Sequence, residues 1–205
     1  MNIIQELTEK YSGKYSEDLA KNVNSPIGKY VYQPKNGIIE VDGTKISINL
    51  NEVGGAMPVT EPFRITLHLD KTYETELTIF PKDLWNQFLD FILPKRRAFV
   101  PKPILKQFWF GGNKDLLKQL ASDKDFCEKI INERIYIETG FKTTNRIILT
   151  PEYGIKDIEQ FEKFVSVLKQ IENKIKTAHN TVYNLLLVLA YLRKSSRIFY
   201  LVCIC

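Results

Sequence analysis

In VDGTKISINL, residues 41–50, the turn dipeptide Asp42-Gly43 precedes a run in which Lys45, Ser47 and Asn49 alternate with Ile46, Ile48 and Leu50. A period of two places the three apolar side chains on one face of a strand and the polar ones on the other. Asp-Gly supplies the positive-φ turn that joins such a strand to an antiparallel neighbour. A sheet of this kind needs a cover for its apolar face. The clearest cover is IKDIEQFEKFVSVLKQIENKI, which carries Ile155, Ile158, Phe161, Val165, Leu168, Ile171 and Ile175 on one helical stripe. Together these features predict an α+β fold, a mostly antiparallel sheet with amphipathic helices packed on it.

The other segments fill in that plan. KYVYQPKNGIIEVDGTKISINLNEV reads as a β-meander, with Asn36-Gly37 as a second turn dipeptide. PFRITLHLD puts Phe63, Ile65, Leu67 and Leu69 on one face, and ETELTIF is expected to pair back to it across Lys71-Thr72-Tyr73. A short helix is expected in PKDLWNQFLDFIL, opened by Pro81, striped by Leu84, Trp85, Phe88, Leu89 and Ile92, and ended by Pro94. QFWFGG reads as a strand. Asn113 caps a helical stretch joined at Ser122, itself a cap candidate with Asp125 three residues on. ERIYIETG and NRIILT predict another hairpin. At the start, IIQELTEKYSGKYSEDLAKNV carries helical spacings through Tyr15 and Leu19, weakened at Gly13, with YSGKYS as an alternative turn. The order strand, turn, strand, Pro, helix occurs twice, in ITLHLD to DLWNQFLDFIL and in IYIETG to DIEQFEKFVSVL. Either a duplication with a groove between its halves or the common recurrence of ββα units accounts for it.

With 205 residues the chain has room for one α+β domain over 1–176 and an apolar, basic-centred tail over 177–205. The cysteines, Cys127, Cys203 and Cys205, are odd in number and the last two stand too close to bridge, so no disulfide framework is implied. MNIIQELT lacks the basic start and long apolar run of a signal peptide, and the expected location is the cytoplasm. The net charge is +5, and Lys174, Lys176, Arg193, Lys194 and Arg197, all after the last acidic residue Glu172, account for the excess. The body is therefore balanced, which argues against nucleic acid as a partner through a broad positive field.

No residue pattern supplies a catalytic signature. His68 shares a strand face with Thr66 and Asp70, but no nucleophile is placed near it. His179 stands alone near a helix end, and Cys203-Ile-Cys205 adds only a terminal pair, so neither a metal nor a cofactor is expected. Glu74 and Glu76 read as one strand face, Asp123 and Asp125 as cap positions, and Asp157, Glu159 and Glu162 as first-turn charges. Gly111-Gly112 lies between a strand and a helix without a phosphate-loop pattern. The best candidate for binding an anion or partner is the proline-rich stretch Leu93 to Lys106, read as a loop carrying Lys95, Arg96, Arg97, Lys102 and Lys106 beside Phe99, Phe108, Trp109 and Phe110.

The tail LLLVLAYLRKSSRIFYLVCIC spans about 20 residues, roughly 30 Å as a helix. Arg193, Lys194 and Arg197 near its middle cost about 9 kcal/mol in a bilayer, against about 5 returned by its large apolar residues. A simple transmembrane helix is disfavoured. The tail can instead pack internally, or lie on an anionic membrane surface through those three basic residues.

The order of elements from Lys106 to Ile175, with QFWFGG, LLKQLASDKDF, RIYIETG, NRIILTP and the long amphipathic helix, resembles a loosely defined group of uncharacterised bacterial α+β domains. The resemblance implies a domain often joined to membrane-anchoring helices and carries no catalytic positions. The expected function is a non-catalytic binding or protein-interaction module, with an unknown protein as partner. One alternative is a peripheral protein at the inner face of the membrane, held by its tail. Others are an enzyme whose site is assembled from distant residues, and a single-stranded nucleic-acid binder using Lys95 to Lys106.

Overall fold

The computed structural model describes residues 2–25, 28–50, 63–82 and 100–179. Its elements run α1 (Ile3–Lys10), β1 (Lys14–Glu17), β2 (Lys21–Ser25), β3 (Gly28–Tyr32), β4 (Lys35–Val41), β5 (Thr44–Leu50), β6 (Phe63–Tyr73) and β7 (Leu77–Pro81). Then follow α2 (Lys102–Gln107), β8 (Phe108–Gly112), α3 (Lys114–Ser122), α4 (Lys124–Ile130), β9 (Ile135–Thr139), β10 (Thr144–Pro151) and a helix α5 over 158–179. Eight strands form one sheet in the order β1-β4-β5-β6-β10-β9-β7-β8, every pairing antiparallel, and β2 with β3 forms a separate ribbon. The α+β class read from the alternation is the observed one.

The Asp42-Gly43 hairpin forms as expected: Val41 faces Thr44, and the two turn residues have φ of 49° and 71°, as the right-handed twist of paired strands favours. Asn36-Gly37 is not a turn. Both residues lie inside β4, where a side chain at 37 would meet Ile4 and Thr8 of α1, so the glycine lets that helix press onto the strand. The helix expected to continue toward Leu19 stops at Lys10, and Tyr15 belongs to β1. Leu19, which would have extended its stripe, is 89% exposed.

The largest correction concerns β6 and β7. They were expected to form a hairpin, yet β6 pairs with β5 and β10 while β7 pairs with β8 and β9. Strand β6 runs on through Tyr73, and Glu74 to Glu76 form the link to β7 rather than a strand face. The expected β9–β10 hairpin does form, from Ile147 opposite Thr139 to Pro151 opposite Ile135. The two ββα stretches therefore differ in pairing, and the helix of the first, together with the loop before β6, lies outside the described residues.

One face of the sheet is continuously apolar. Ile39, Ile46, Ile48, Ile65, Leu67, Ile147, Leu149, Ile137 and Ile79 are each at most 2% exposed and join Phe161, Phe164, Leu168 and Ile171 of α5 in one core. Burial at this density is what fixes the register, since a one-residue slip would turn every one of those side chains to the other face. Cys127 is buried in the same core, with its thiol directed at the Ala121 carbonyl.

Candidate functional site

Beside the end of β6, the start of α3 and the end of α5 the fold leaves a cavity of about 570 Å³. Its apolar wall is Tyr73, Leu116, Ile175 and Ala178, and its polar rim is Thr72, Glu74, Thr75, Asn113, Asp115 and His179. Space of this size suits a small organic molecule.

Each wall is held by a local device. The Asn113 side chain accepts from the backbone N–H groups of Asp115 and Leu116 at 3.0 and 3.1 Å, capping α3 as the sequence predicted. The backbone N–H of Asn113 donates to Glu76 at 2.8 Å, tying the helix start to the 74–76 link. Replacing Asn113 with alanine is expected to cost about 1 kcal/mol through loss of that cap, read as a lowered denaturant midpoint with unchanged slope. The next helix, α4, is capped by Asp123, whose carboxylate accepts from Phe126, while Ser122 ends α3.

Behind the cavity lies an array of charges that the sequence reading did not assemble. Glu172 of α5 is 1% exposed. Its carboxylate takes hydrogen bonds from Lys169 at 2.8 Å, from Lys176 at 2.7 Å and from the Thr44 hydroxyl at 3.2 Å, and Lys169 also donates to Thr44 at 2.7 Å. Lys176 reaches on to Asp70 at 3.4 Å, and the Tyr73 hydroxyl donates to Asp70 at 2.9 Å. Burial alone would raise the Glu172 carboxyl, but the hydrogen bonds and charges of the two lysines outweigh it and hold it below the ordinary glutamate value. Burial, then the hydrogen bond to Asp70, push the Tyr73 phenol up to about 12, so it stays a neutral donor.

Tyr73 brings this array to the cavity wall. The ring of His179 meets it edge-on at 5.3 Å between centroids, and Lys71 lies over the Tyr73 ring with its ammonium 3.5 Å from His179 Nδ1. His179 thus faces the Lys71 side-chain nitrogen and the Tyr73 ring, whose own hydroxyl is turned to Asp70.

The structure places the other expected site residues elsewhere. His68 Nε2 lies 2.8 Å from Ser47 Oγ, while Asp70 turns to Tyr73 and Lys176, so the two do not form a unit. Burial, then the charges of Lys45 and Arg146, push His68 below the usual histidine value. Lys102 and Lys106, expected on a loop, are exposed on α2 and do not line the cavity. The segment is helical because Pro101 and Pro103 fall at its first turn, where a missing N–H costs nothing, and Ile104 then anchors it in the core. Lys95, Arg96 and Arg97 lie outside the described residues, as do Arg193, Lys194 and Arg197. Of the aromatics beside them in sequence, Phe108 and Phe110 are core residues.

Gly112, noted in sequence as half of a lone pair, has φ of +103° and a Cβ there would stand 2.2 Å from the Glu76 carbonyl oxygen. The glycine permits the close approach of the end of β8 to the 74–76 link. Among the described residues no group of three or more His, Cys, Asp or Glu is placed to hold a metal, and no helix is long and apolar enough to cross a membrane. Comparison with protein-family models, curated proteins and solved structures found no match to the chain.

Proposed function

We propose that the protein is a non-catalytic binding module whose ligand occupies the cavity between the end of β6, the start of α3 and the end of α5. The observation that carries this reading is the combination of an apolar wall with a rim of hydrogen-bonding groups in a space of about 570 Å³. Glu74 and Asp115 are the acidic residues of its lining, and no lysine or arginine is among the lining residues. That balance favours an uncharged or amine-bearing molecule with an apolar body over an anion. The ionised array behind Tyr73 supports a structural role for the buried charges, since each is satisfied by a partner within the fold.

The test is a thermal-shift screen of aromatic and amine-bearing fragments against the full chain and against Ala178→Trp, which fills the cavity from the half-buried helix position. Ligands that stabilise the native chain are expected to lose their effect on the variant, because a ligand present at 100 times its Kd contributes about 2.7 kcal/mol only while its site exists. Thr75→Trp, on the opposite rim, serves as an independent block. Equal stabilisation of all three proteins would overturn the reading.

A further inference from the structure

On the face of the sheet opposite the apolar core, one row of side chains crosses three adjacent inner strands. Arg146 of β10 stands opposite His68 of β6, and the pairing of Ile46 with Leu67 brings Lys45 of β5 beside the same histidine. The charges of Lys45 and Arg146 both act on His68. With strands about 4.8 Å apart the row spans about 10 Å, so a lysine and an arginine side chain can close over the histidine from its two sides.

Like charges side by side across strands destabilise a sheet, and the fold does not relieve these two. Arg146 and Lys45 are exposed, and neither has an ion-pair partner within 4 Å among the described residues. Glu40 stands opposite Lys45, and Glu138 stands opposite Ile148, two residues along β10 from Arg146, yet neither carboxylate closes on its neighbour. Asp70, two residues beyond His68, is drawn to Tyr73 and Lys176.

The row has depth as well as charge. Thr66, on the same face between Ser47 and Ile148, is only 7% exposed, and Ser47 and His68 are half-buried. Partial burial strengthens a charged contact over its value in open water. Ser47 Oγ lies 2.8 Å from His68 Nε2, and Nδ1 has no hydrogen-bond partner among the described residues. As an imidazolium, His68 would donate Nε2–H to Ser47, leaving the serine hydroxyl and Nδ1–H to donate to a third group.

We infer that Arg146, His68, Lys45 and Ser47 form a site for the phosphate group of a small soluble monoester. A guanidinium fork, an ammonium and a hydroxyl match a tetrahedral dianion with several acceptor oxygens, whereas a carboxylate offers two oxygens in one plane. Burial, then the two cations, hold His68 below the usual histidine value, and a bound dianion would push it back up. The site shares no residue with the cavity lining and stands independently of the small-ligand reading.

The experiment is NMR of the histidine rings in the full chain, titrated with phenyl phosphate at neutral pH and constant ionic strength. The chain has two histidines, and His179 at the cavity is the internal reference. Saturable shifts at His68 with His179 unmoved are the expected result. Sulfate, which keeps its double charge into mild acid, is expected to raise the His68 titration midpoint and to bind on the order of tenfold more tightly once His68 is protonated. Lys45→Gln and Arg146→Gln, both at exposed positions, are each expected to weaken phenyl phosphate about tenfold through loss of one charged hydrogen bond. No shift at His68, equal movement of both histidines, or shifts indifferent to Lys45→Gln and Arg146→Gln would overturn the inference. Vesicles containing phosphatidic acid present the same group on a lipid surface, and a response to them without one to phenyl phosphate would overturn the assignment to a soluble monoester.

Discussion

Glu172→Gln is expected to destabilise the protein by about 3 kcal/mol. The substitution keeps the shape of the side chain and removes the charge around which Lys169, Lys176 and Thr44 are arranged. Breaking a buried ion pair from one side leaves its partners uncompensated, which costs about 3–5 kcal/mol. The two lysines are 19% and 33% exposed and recover some hydration, which sets the lower end of that range. In a domain of this size the loss corresponds to a fall in Tm of about 6–12 °C. Replacing Lys169, Glu172 and Lys176 together by methionine, leucine and methionine should cost less than Glu172→Gln alone, because no charge is left unpaired.

The acid limb of the same network gives a signed check. The folded Glu172 carboxyl is held below its ordinary value of 4.5. Its stabilising contribution is therefore complete above about pH 4.5 and is lost as the pH falls through the folded value. Asp70, Asp123 and Glu162 are also held low, so the native chain as a whole loses stability in that window. The gap between native protein and Glu172→Gln should narrow there. A gap that stayed constant from pH 7 to pH 3 would show that the carboxylate charge contributes nothing.

Gly112→Ala is expected to cost on the order of 3 kcal/mol. Two causes add: the backbone angle of +103° is one that L side chains rarely adopt, and the new methyl would lie 2.2 Å from a carbonyl oxygen that cannot rotate away. Gly43→Ala provides the contrast. It too has a positive φ, 71°, but nothing lies within 4 Å of its added Cβ, so only the conformational cost of about 1 kcal/mol applies. Because Gly112 holds the 74–76 link against Asn113, its replacement should also weaken any ligand of the cavity, whereas replacement of Gly43 should not.

The parts of the fold legible in the sequence are those set by near neighbours. The Asp42-Gly43 hairpin, the β9–β10 hairpin, the Asn113 cap and the apolar stripe of α5 each depend on a few consecutive residues. The failure at β6 and β7 has a different origin. Both strands read correctly as strands, but their partners come from residues far along the chain, and alternation alone does not name a partner. Asn36-Gly37 misled because its turn propensity was overridden by α1, which needs a residue without a side chain beneath Ile4 and Thr8.

The site was less legible, although it left one sign. Glu172 falls four residues after Leu168 and three before Ile175, on the buried stripe itself, with lysines three residues before and four after. A carboxylate on a core stripe flanked in that way marks a buried ion cluster, and reading the stripe for its exception would have found it. Tyr73 and His179 carried no such mark. They meet only because β6 runs four residues past Leu69 and α5 reaches 179, and neither length was set by local sequence. The five cations were read together with their sequence neighbours Phe99, Phe108, Trp109 and Phe110, but Phe108 and Phe110 turn into the core. Strand register instead brings Trp109 beside Phe80 and Tyr136, from three separate segments.

The most direct measurement is amide NMR of the full chain titrated with the fragments that raise its melting temperature. Saturable shifts concentrated at Thr72 to Thr75, Asn113 to Leu116 and Ile175 to His179 are the expected result, and they would locate a ligand in the cavity. Shifts that spare those three segments, or that never saturate, would contradict a binding module built on that site.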